Sequence, residues 1–335
     1  MISPTVRRGL MLLPLLAMAG CNTVVLNPSG DIAAQQGHLV VVATLLMLLI
    51  IVPVIALTLL FAWRYRQNNT QAKYDPDWDH STKLELVIWG APLLIIIVLG
   101  LLTWISTHLL DPFRPLSRID ANRPVAADVK PLVVQVVALD WKWLFIYPEQ
   151  GIATVNELVT PVDVPVRFQI TASTVMNAFY IPALAGQIYA MPGMQTTLNA
   201  VINKPGEWEG FSANYSGAGF SHMRFKYRGV SQAEFGDWIK SAKSAGGELS
   251  RAGYQQLAQP SEREPVRHYG AVDAELFSKV VNRCVADGST CINAMMAADA
   301  QKNAAPEKDG RVALNGAEIC VTPSTSQKTD NARPY

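Results

Sequence analysis

The sequence predicts a two-helix transmembrane hairpin, then an all-β sandwich or barrel, then a short helical C-terminal extension. Three observations carry this reading. Two long runs before residue 111 are almost wholly apolar. The stretch from about residue 130 to 230 alternates with period two between turn signals, and beyond Val230 the period lengthens to that of a helix. Of 335 residues, 50% are hydrophobic and 16% are charged, against roughly 25% charged in an ordinary soluble domain. The apolar runs account for that deficit, which argues against a simple cytosolic enzyme. A formal net charge of +1 makes no electrostatic case for nucleic acid as a partner.

Arg7 and Arg8 precede the apolar stretch from Leu10 to Met18, and Ala19 and Gly20 precede Cys21. A basic start, a short apolar run and small residues at a cleavage point describe an export signal over residues 1–20. The run is too short to span a bilayer. Met18-Ala-Gly-Cys21 resembles the bacterial lipobox, with Met18 where leucine is usual, and that makes Cys21 the expected lipidation site. An uncleaved signal anchor is the alternative. Acyl chains add membrane affinity at about 0.8 kcal/mol per buried CH₂, auxiliary to the spans that follow.

A short N-terminal segment (21–38) leads into the first span, 39–63. From Ile32 to Trp63 there is no Asp, Glu, Lys or Arg. The second span, 86–110, carries Trp89 and Trp104 near its ends. Each run is about 25 residues, roughly 37 Å as a helix, against a hydrocarbon core of about 30 Å. Buried core helices of a soluble protein do not show such length and uniformity. Pro53 and Pro92 lie inside the spans, where neighbouring groups satisfy the freed carbonyls. The connector 64–85 carries Arg64, Arg66, Lys73 and Lys83, whereas residues 22–38 carry no Lys or Arg. The positive-inside rule makes the connector cytoplasmic and places both ends in the periplasm. Glu85 begins the second span. An ionisable group there is a functional candidate; a carboxylate favoured by the helix dipole, beside Lys83, is the plainer alternative.

Residues 111–131 hold Pro112, Pro115, Pro124 and Pro131 and read as an extended linker. In the periplasmic domain, 132–245, the run from Leu132 to Val137 is β-branched, and Trp141, Trp143 and Phe145 continue with period two. Val166, Phe168 and Ile170 alternate with polar partners. In the helical extension, 246–300, and just before it, Phe235, Trp238, Ile239 and Ala242 fit one helical face, and Leu276, Phe277, Val280 and Val281 another. A Gly/Ser/Pro-rich stretch from Ser244 to Pro265 separates them. The tail, 301–335, is polar and poorly patterned, with the composition of partial disorder. Cys284 and Cys291 can bridge if Asp287-Gly288 forms a turn; in one continuous helix they would sit roughly 10 Å apart. With Cys320 the count outside Cys21 is odd, and the pairing stays open.

The hairpin followed by a periplasmic β-domain resembles subunit 2 of the haem–copper respiratory oxidases. The resemblance rests on Leu139-Asp-Trp-Lys-Trp143, on Val155-Asn-Glu-Leu158 with Pro161 and Pro165-Val166, and on Ala172-Ser-Thr-Val-Met-Asn-Ala-Phe-Tyr-Ile-Pro182. It implies a cupredoxin-like fold for 132–245. The helical segment at 265–300 is similar to the extension of the quinol-oxidising branch. The cytochrome c branch builds a dinuclear copper centre from two thiolates, two imidazoles, a methionine sulfur and a backbone carbonyl, soft donors suited to copper. Aligned on that motif, Asn177 stands at the first histidine, Ser212 and Ser216 at the thiolates, Asn214 at the carbonyl donor and Phe220 at the second histidine; Met223 keeps its ligand side chain. A lone thioether cannot hold that centre. His222 adjoins Met223 but is expected to face the other way in a strand, solvated or hydrogen-bonded. His38, His80, His108 and His268 are scattered.

The resemblance therefore implies subunit 2 of a cytochrome bo-type ubiquinol oxidase, in a complex that reduces O₂ to water and pumps protons. It implies no cofactor or metal in this chain, with haem and copper held by subunit 1. It also implies partners in subunit 1, smaller membrane subunits and membrane lipids, ubiquinol reached through subunit 1, and a place in the bacterial inner membrane. A glutamate at the position of Glu85 is associated in this family with the mouth of a proton-uptake channel. Trp141 matches the electron-entry tryptophan, which without copper reads as a structural aromatic. Two rivals remain: a membrane-anchored periplasmic binding or assembly factor without an oxidase role, and a copper-carrying cytochrome c oxidase subunit.

Overall fold

Apolar length dominates the first third of the chain, where two helices stand side by side: α1 (Asp31–Arg64) and α2 (Thr82–Leu109). The computed structural model describes residues 23–72, 75–126, 128–304, 311–314 and 317–320; the export signal and Cys21 lie outside the described residues. Both helices run through their prolines, Pro53 and Pro92. Leu39, Val42, Leu46 and Ile50 on α1, and Ile95, Leu99, Leu102 and Ser106 on α2, are the less exposed positions. Their spacing of three and four is the seam of two packed helices. The other faces leave large side chains such as Leu59, Trp63, Leu94 and Trp104 uncovered, as helices that lie against lipid do.

After α2, a small hairpin of β1 (Arg118–Asp120) and β2 (Arg123–Pro124) leads into two packed sheets. The first has the order β10 (Thr196–Ala200), β7 (Val166–Ala172), β3 (Leu132–Leu139), β4 (Lys142–Tyr147), β5 (Ile152–Val155), β14 (Arg267–Tyr269). The second has the order β6 (Glu157–Pro161), β12 (Arg224–Val230), β11 (Gly206–Ser212), β8 (Asn177–Tyr180), β9 (Ile188–Ala190). Pairing is parallel for β3 with β7 and for β6 with β12. Alternation decides what lies between the sheets: Val134, Val136 and Ala138 of β3, and Trp143, Phe145 and Tyr147 of β4, point into the main core.

The opposite face of these strands is covered too. Val137, Leu139, Leu144 and Ile146 pack against Leu249, Tyr254, Leu257, Leu276, Phe277 and Val280 of the extension. This is why β4 is buried along its whole length. Helix α3 (Gln232–Ser244) closes the β-domain and leads into the extension, which carries α4 (Arg251–Leu257), α5 (Leu276–Val281) and α6 (Ile292–Ala304). Within it, β13 (Glu248–Leu249) pairs with β15 (Ala271–Val272). The Gly/Ser/Pro-rich stretch thus contains a helix of its own. Ser250 caps it by accepting the Gly253 N–H at 3.2 Å, a local signal that its composition masks. In α3, Ser231 and Glu234 form a reciprocal capping box.

Cys284 and Cys291 are joined by a disulfide with Cα atoms 4.8 Å apart. The turn between them closes with the Ser289 N–H on the Ala286 carbonyl at 3.2 Å, and Gly288 supplies a φ of +77°. In the poorly patterned tail, β16 (Arg311–Leu314) pairs antiparallel with β17 (Ala317–Cys320).

Candidate functional site

The residues that the sequence resemblance aligns with copper ligands come together at one end of the sandwich. Asn177 opens β8 and is 1% exposed; Ser212 ends β11 and is 3% exposed. The two strands are neighbours in the sheet, and the Ser212 hydroxyl donates to Asn177 Oδ1 at 3.0 Å. The Asn214 carbonyl also lies near that hydroxyl, at 3.2 Å. Asn177 Nδ2 donates to the Val175 carbonyl at 3.1 Å, and Asn214 Nδ2 to the Met176 carbonyl at 3.1 Å. These groups satisfy one another.

The remaining positions form a second group beside the first. Met223 is 1% exposed, and the Ser216 hydroxyl points at its sulfur from 3.9 Å. Phe220 packs edge-on against Tyr215, ring centroids 5.6 Å apart. Ser212 and Phe220 share the wall of a shallow opening of about 270 Å³. Trp141 lies over this loop. Its indole N–H donates to the Ser216 carbonyl at 2.8 Å. Gly219 leaves the room, because a Cβ there would stand 2.6 Å from Trp141 Cδ2.

Two hydroxyls, two carboxamides, a phenyl ring and a thioether do not suit a dinuclear copper ion pair, whose soft centre needs thiolate and imidazole. The donor set does not fit that group. Among the described residues, no cluster of three or more His, Cys, Asp or Glu side chains converges elsewhere. His222 is exposed while Met223 is buried, and residues Phe220–His222 form a 3-10 turn instead of the expected strand. The His222 Nε2 accepts from Arg263 Nη2 at 3.0 Å, which ties the loop to the extension.

The same extension segment straps the start of β4. The Trp141 N–H donates to the Ser261 carbonyl at 3.2 Å and the Ser261 N–H to the Asp140 carbonyl at 2.9 Å. Lys142, 1% exposed, donates to the Gln259 carbonyl at 2.8 Å and to the Ser261 hydroxyl. Burial pulls its ammonium below the ordinary lysine value. Nothing in the local sequence around Lys142, between Trp141 and Trp143, signals its burial.

Glu85 stands in the first turn of α2, half exposed. Its Oε1 lies 2.7 Å from His80 Nδ1, and the other ring nitrogen of His80 is 3.1 Å from the Thr82 hydroxyl. In the sequence His80 is one of the scattered histidines. Its separation of five from Glu85 bridges the helix N-terminus, where no regular period signals a contact.

Residues 148–230 match the family described as "Cytochrome C oxidase subunit II, periplasmic domain", and residues 243–288 match the "COX Aromatic Rich Motif". The chain is 50% identical over 274 residues to cytochrome bo(3) ubiquinol oxidase subunit 2 of Pseudomonas aeruginosa, covering 82% of this chain and 80% of that protein. The chain belongs to the cytochrome bo(3) ubiquinol oxidase subunit 2 family. It is also 48% identical over 279 residues to ubiquinol oxidase subunit 2 of Acetobacter aceti, covering 82% and 88% of the two chains. With quinol oxidase subunit 2 of Bacillus cereus it shares 36% over 249 residues, 73% and 82% of the two. The two sheets are thus the cupredoxin-like domain of a haem–copper oxidase subunit, anchored in a membrane by α1 and α2, and the extension is a family feature in its own right.

Proposed function

We propose that this chain is the metal-free subunit 2 of a proton-pumping ubiquinol oxidase of the bacterial inner membrane. The hairpin packs on subunit 1 beside the smaller membrane subunits, and the cupredoxin-like domain caps the periplasmic face. The observation that carries this reading is the hydrogen-bonded pair of Asn177 and Ser212 at positions where copper would need imidazole and thiolate. A domain with no redox centre cannot accept an electron from a soluble cytochrome. Electrons then enter from quinol at subunit 1, which holds the haem and copper, and this chain is non-catalytic. Glu85, with His80 against its carboxylate, sits where protons enter from the cytoplasm. Cys21 is the lipidation site, and Trp141 is a structural aromatic clamped by the glycine-rich loop.

The test is to isolate the chain from native membranes in mild detergent. Haem content and oxygen consumption are then recorded with ubiquinol and with reduced cytochrome c. The reading expects co-purifying haem and activity on quinol alone. Recovery without haem, under conditions that keep respiratory complexes intact, points to the membrane-anchored binding or assembly role. Activity with cytochrome c, or copper bound by this subunit, points to the copper-carrying branch.

A further inference from the structure

The loop of residues 213–223 carries four of the positions aligned with copper ligands: Asn214, Ser216, Phe220 and Met223. Little of it is buried, and Ala213, Tyr215, Ala218, Ser221 and His222 are exposed. Ions held at those positions would tie the loop to β8 and β11, but the donor set does not suit them. Hydrogen bonds do the tying instead. Asn214 Nδ2 reaches the Met176 carbonyl just before β8, and the Asn214 carbonyl meets the Ser212 hydroxyl at the end of β11. Two further ties lead elsewhere. Trp141 Nε1 donates to the Ser216 carbonyl at 2.8 Å, and Arg263 Nη2 to His222 Nε2 at 3.0 Å.

Both of these lead to the extension. Its residues 259–264 form a strap between α4 and β14, and the two ends are fixed. Tyr254 and Leu257 of α4 pack over β4, and β14 pairs with β5. Along the strap, Ser261 exchanges backbone hydrogen bonds with Asp140 and Trp141, at 2.9 and 3.2 Å. Lys142 donates to the Gln259 carbonyl and the Ser261 hydroxyl, and Asn156 Nδ2 to the Glu264 carbonyl at 2.9 Å. Lys142 and Asn156 are 1% and 8% exposed, so these bonds are sheltered from competing water. Arg263 stands in the strap with a φ of +56°, which few residues with a side chain adopt.

The strap's grip is passed on through the turn between β3 and β4. Trp141 is held by its backbone on the strap and lies with its ring on the loop, where a Cβ at Gly217 would come within 3.0 Å of Cζ2. Its neighbour Asp140 takes the Thr174 hydroxyl at 2.5 Å, on the segment that leads into β8. A strap that served only to cover β4 would need neither the Trp141–Ser216 bond nor the strained reach of Arg263. We propose that the extension is the brace of this loop. Through Trp141 and Arg263 its strap fixes the segment that a metal's ligands would otherwise tie to β8 and β11. The proposal rests on these bonds and on the unsuited donor set, not on quinol as the electron source, so the two can fail separately.

The experiment follows amide hydrogen exchange in the chain isolated from native membranes with its accompanying subunits. The amides of Ala213, Phe220 and His222 serve as probes, each hydrogen-bonded to a backbone carbonyl. Arg263→Gly removes the tie to His222 and suits the positive φ. Trp141→Phe removes the indole donor and keeps an aromatic ring. Lys142→Met frees the strap from its seat without touching a loop residue. Exchange at the probes is expected to quicken about three- to tenfold in Arg263→Gly, the factor for one hydrogen bond, and further when Trp141→Phe is added. It should quicken in Lys142→Met as well, while β7 and β10 exchange as in the wild type. Unchanged exchange of the loop in Arg263→Gly overturns the brace, even if Lys142→Met fails to fold. A rise confined to α4 and β14 in Lys142→Met would reduce the strap to a cover and overturn it too. So would an equal rise over the whole β-domain.

Discussion

The Ser212 hydroxyl donates to the side-chain carbonyl of Asn177 across 3.0 Å, with both residues almost fully buried. A buried hydrogen bond of this kind contributes about 1 kcal/mol net, and leaving its partner unpaired costs about 1–3 kcal/mol. Ser212→Ala is therefore expected to destabilise the domain by roughly 1–2 kcal/mol. In a double-mutant cycle with Asn177→Ala, denaturant unfolding should show a coupling of about 0.5–1.5 kcal/mol. Strict additivity would mean that the two positions are held independently.

Glu85 and His80 are each about half exposed or more, at 49% and 60%, so their pair contributes under about 1 kcal/mol. Changes here should leave the unfolding temperature and haem content unmoved. Glu85→Gln is expected to slow oxygen reduction several-fold, and His80→Asn less, because the carboxylate survives. Turnover at the wild-type rate in Glu85→Gln would remove this residue from the proton route.

Glu157 is the buried fastening between the sandwich and the extension. Its Oε2 accepts from Trp238 Nε1 at 3.1 Å and lies 2.7 Å from His268 Nε2, while Arg228 approaches Oε1 at 3.8 Å. Truncation to alanine leaves Trp238 Nε1 and His268 without that acceptor, while Arg228 keeps Glu207 at 3.2 Å, so the expected cost is about 1–3 kcal/mol. Glu157→Gln keeps an acceptor and should cost less. Hydrogen exchange across α3 and β14 is the measurement. A uniform change over the whole domain would contradict a local fastening.

Acid should loosen the extension before the sandwich. The Glu275 N–H, and beyond it Arg251, hold the Asp273 carboxyl below its ordinary 3.8; Ser231 holds Glu234 below its ordinary 4.5. For groups depressed in the folded state, the unfolded chain binds more protons as pH falls through these values. Their stabilisation is present above that range and is lost below it. Lys142 acts in the opposite window. With its folded value lowered by burial from 10.5, its contribution improves as pH rises towards 10.5. Amide protection in α3, α4 and α5 should fall between pH 4.5 and 3 ahead of β3 and β7. Simultaneous loss would show that these carboxylates carry no local weight.

Much of this was legible in the residues. Trp143 and Phe145 reveal the inward face of β4 by alternation, and Phe235 with Trp238 reveals the packed face of α3. The set Asn177, Ser212, Ser216 and Phe220 argues its own chemistry, because ligand atoms belong to residue types whatever the fold. The misses share a cause. Helix α4 lies in a stretch whose glycines and serines read as a connector, and its stability comes from Tyr254 and Leu257 packing on the outer face of β4, which no local pattern records.

Length and period by themselves determined the hairpin and the β-domain. An apolar run of that length has no comfortable place outside a membrane, and alternation with period two commits one side of a strand to burial. What covers the other side was decided only in three dimensions. Lys142 is buried because the Gln259–Ser261 strap lies over it, 117 residues away at its nearer hydrogen bond. Asp31 meets Arg118 across 87 residues, and Glu157 meets His268 across 111. Sequence periodicity records which side of an element avoids water. Which distant charge will stand against it depends on how the sheets are ordered and where the extension returns.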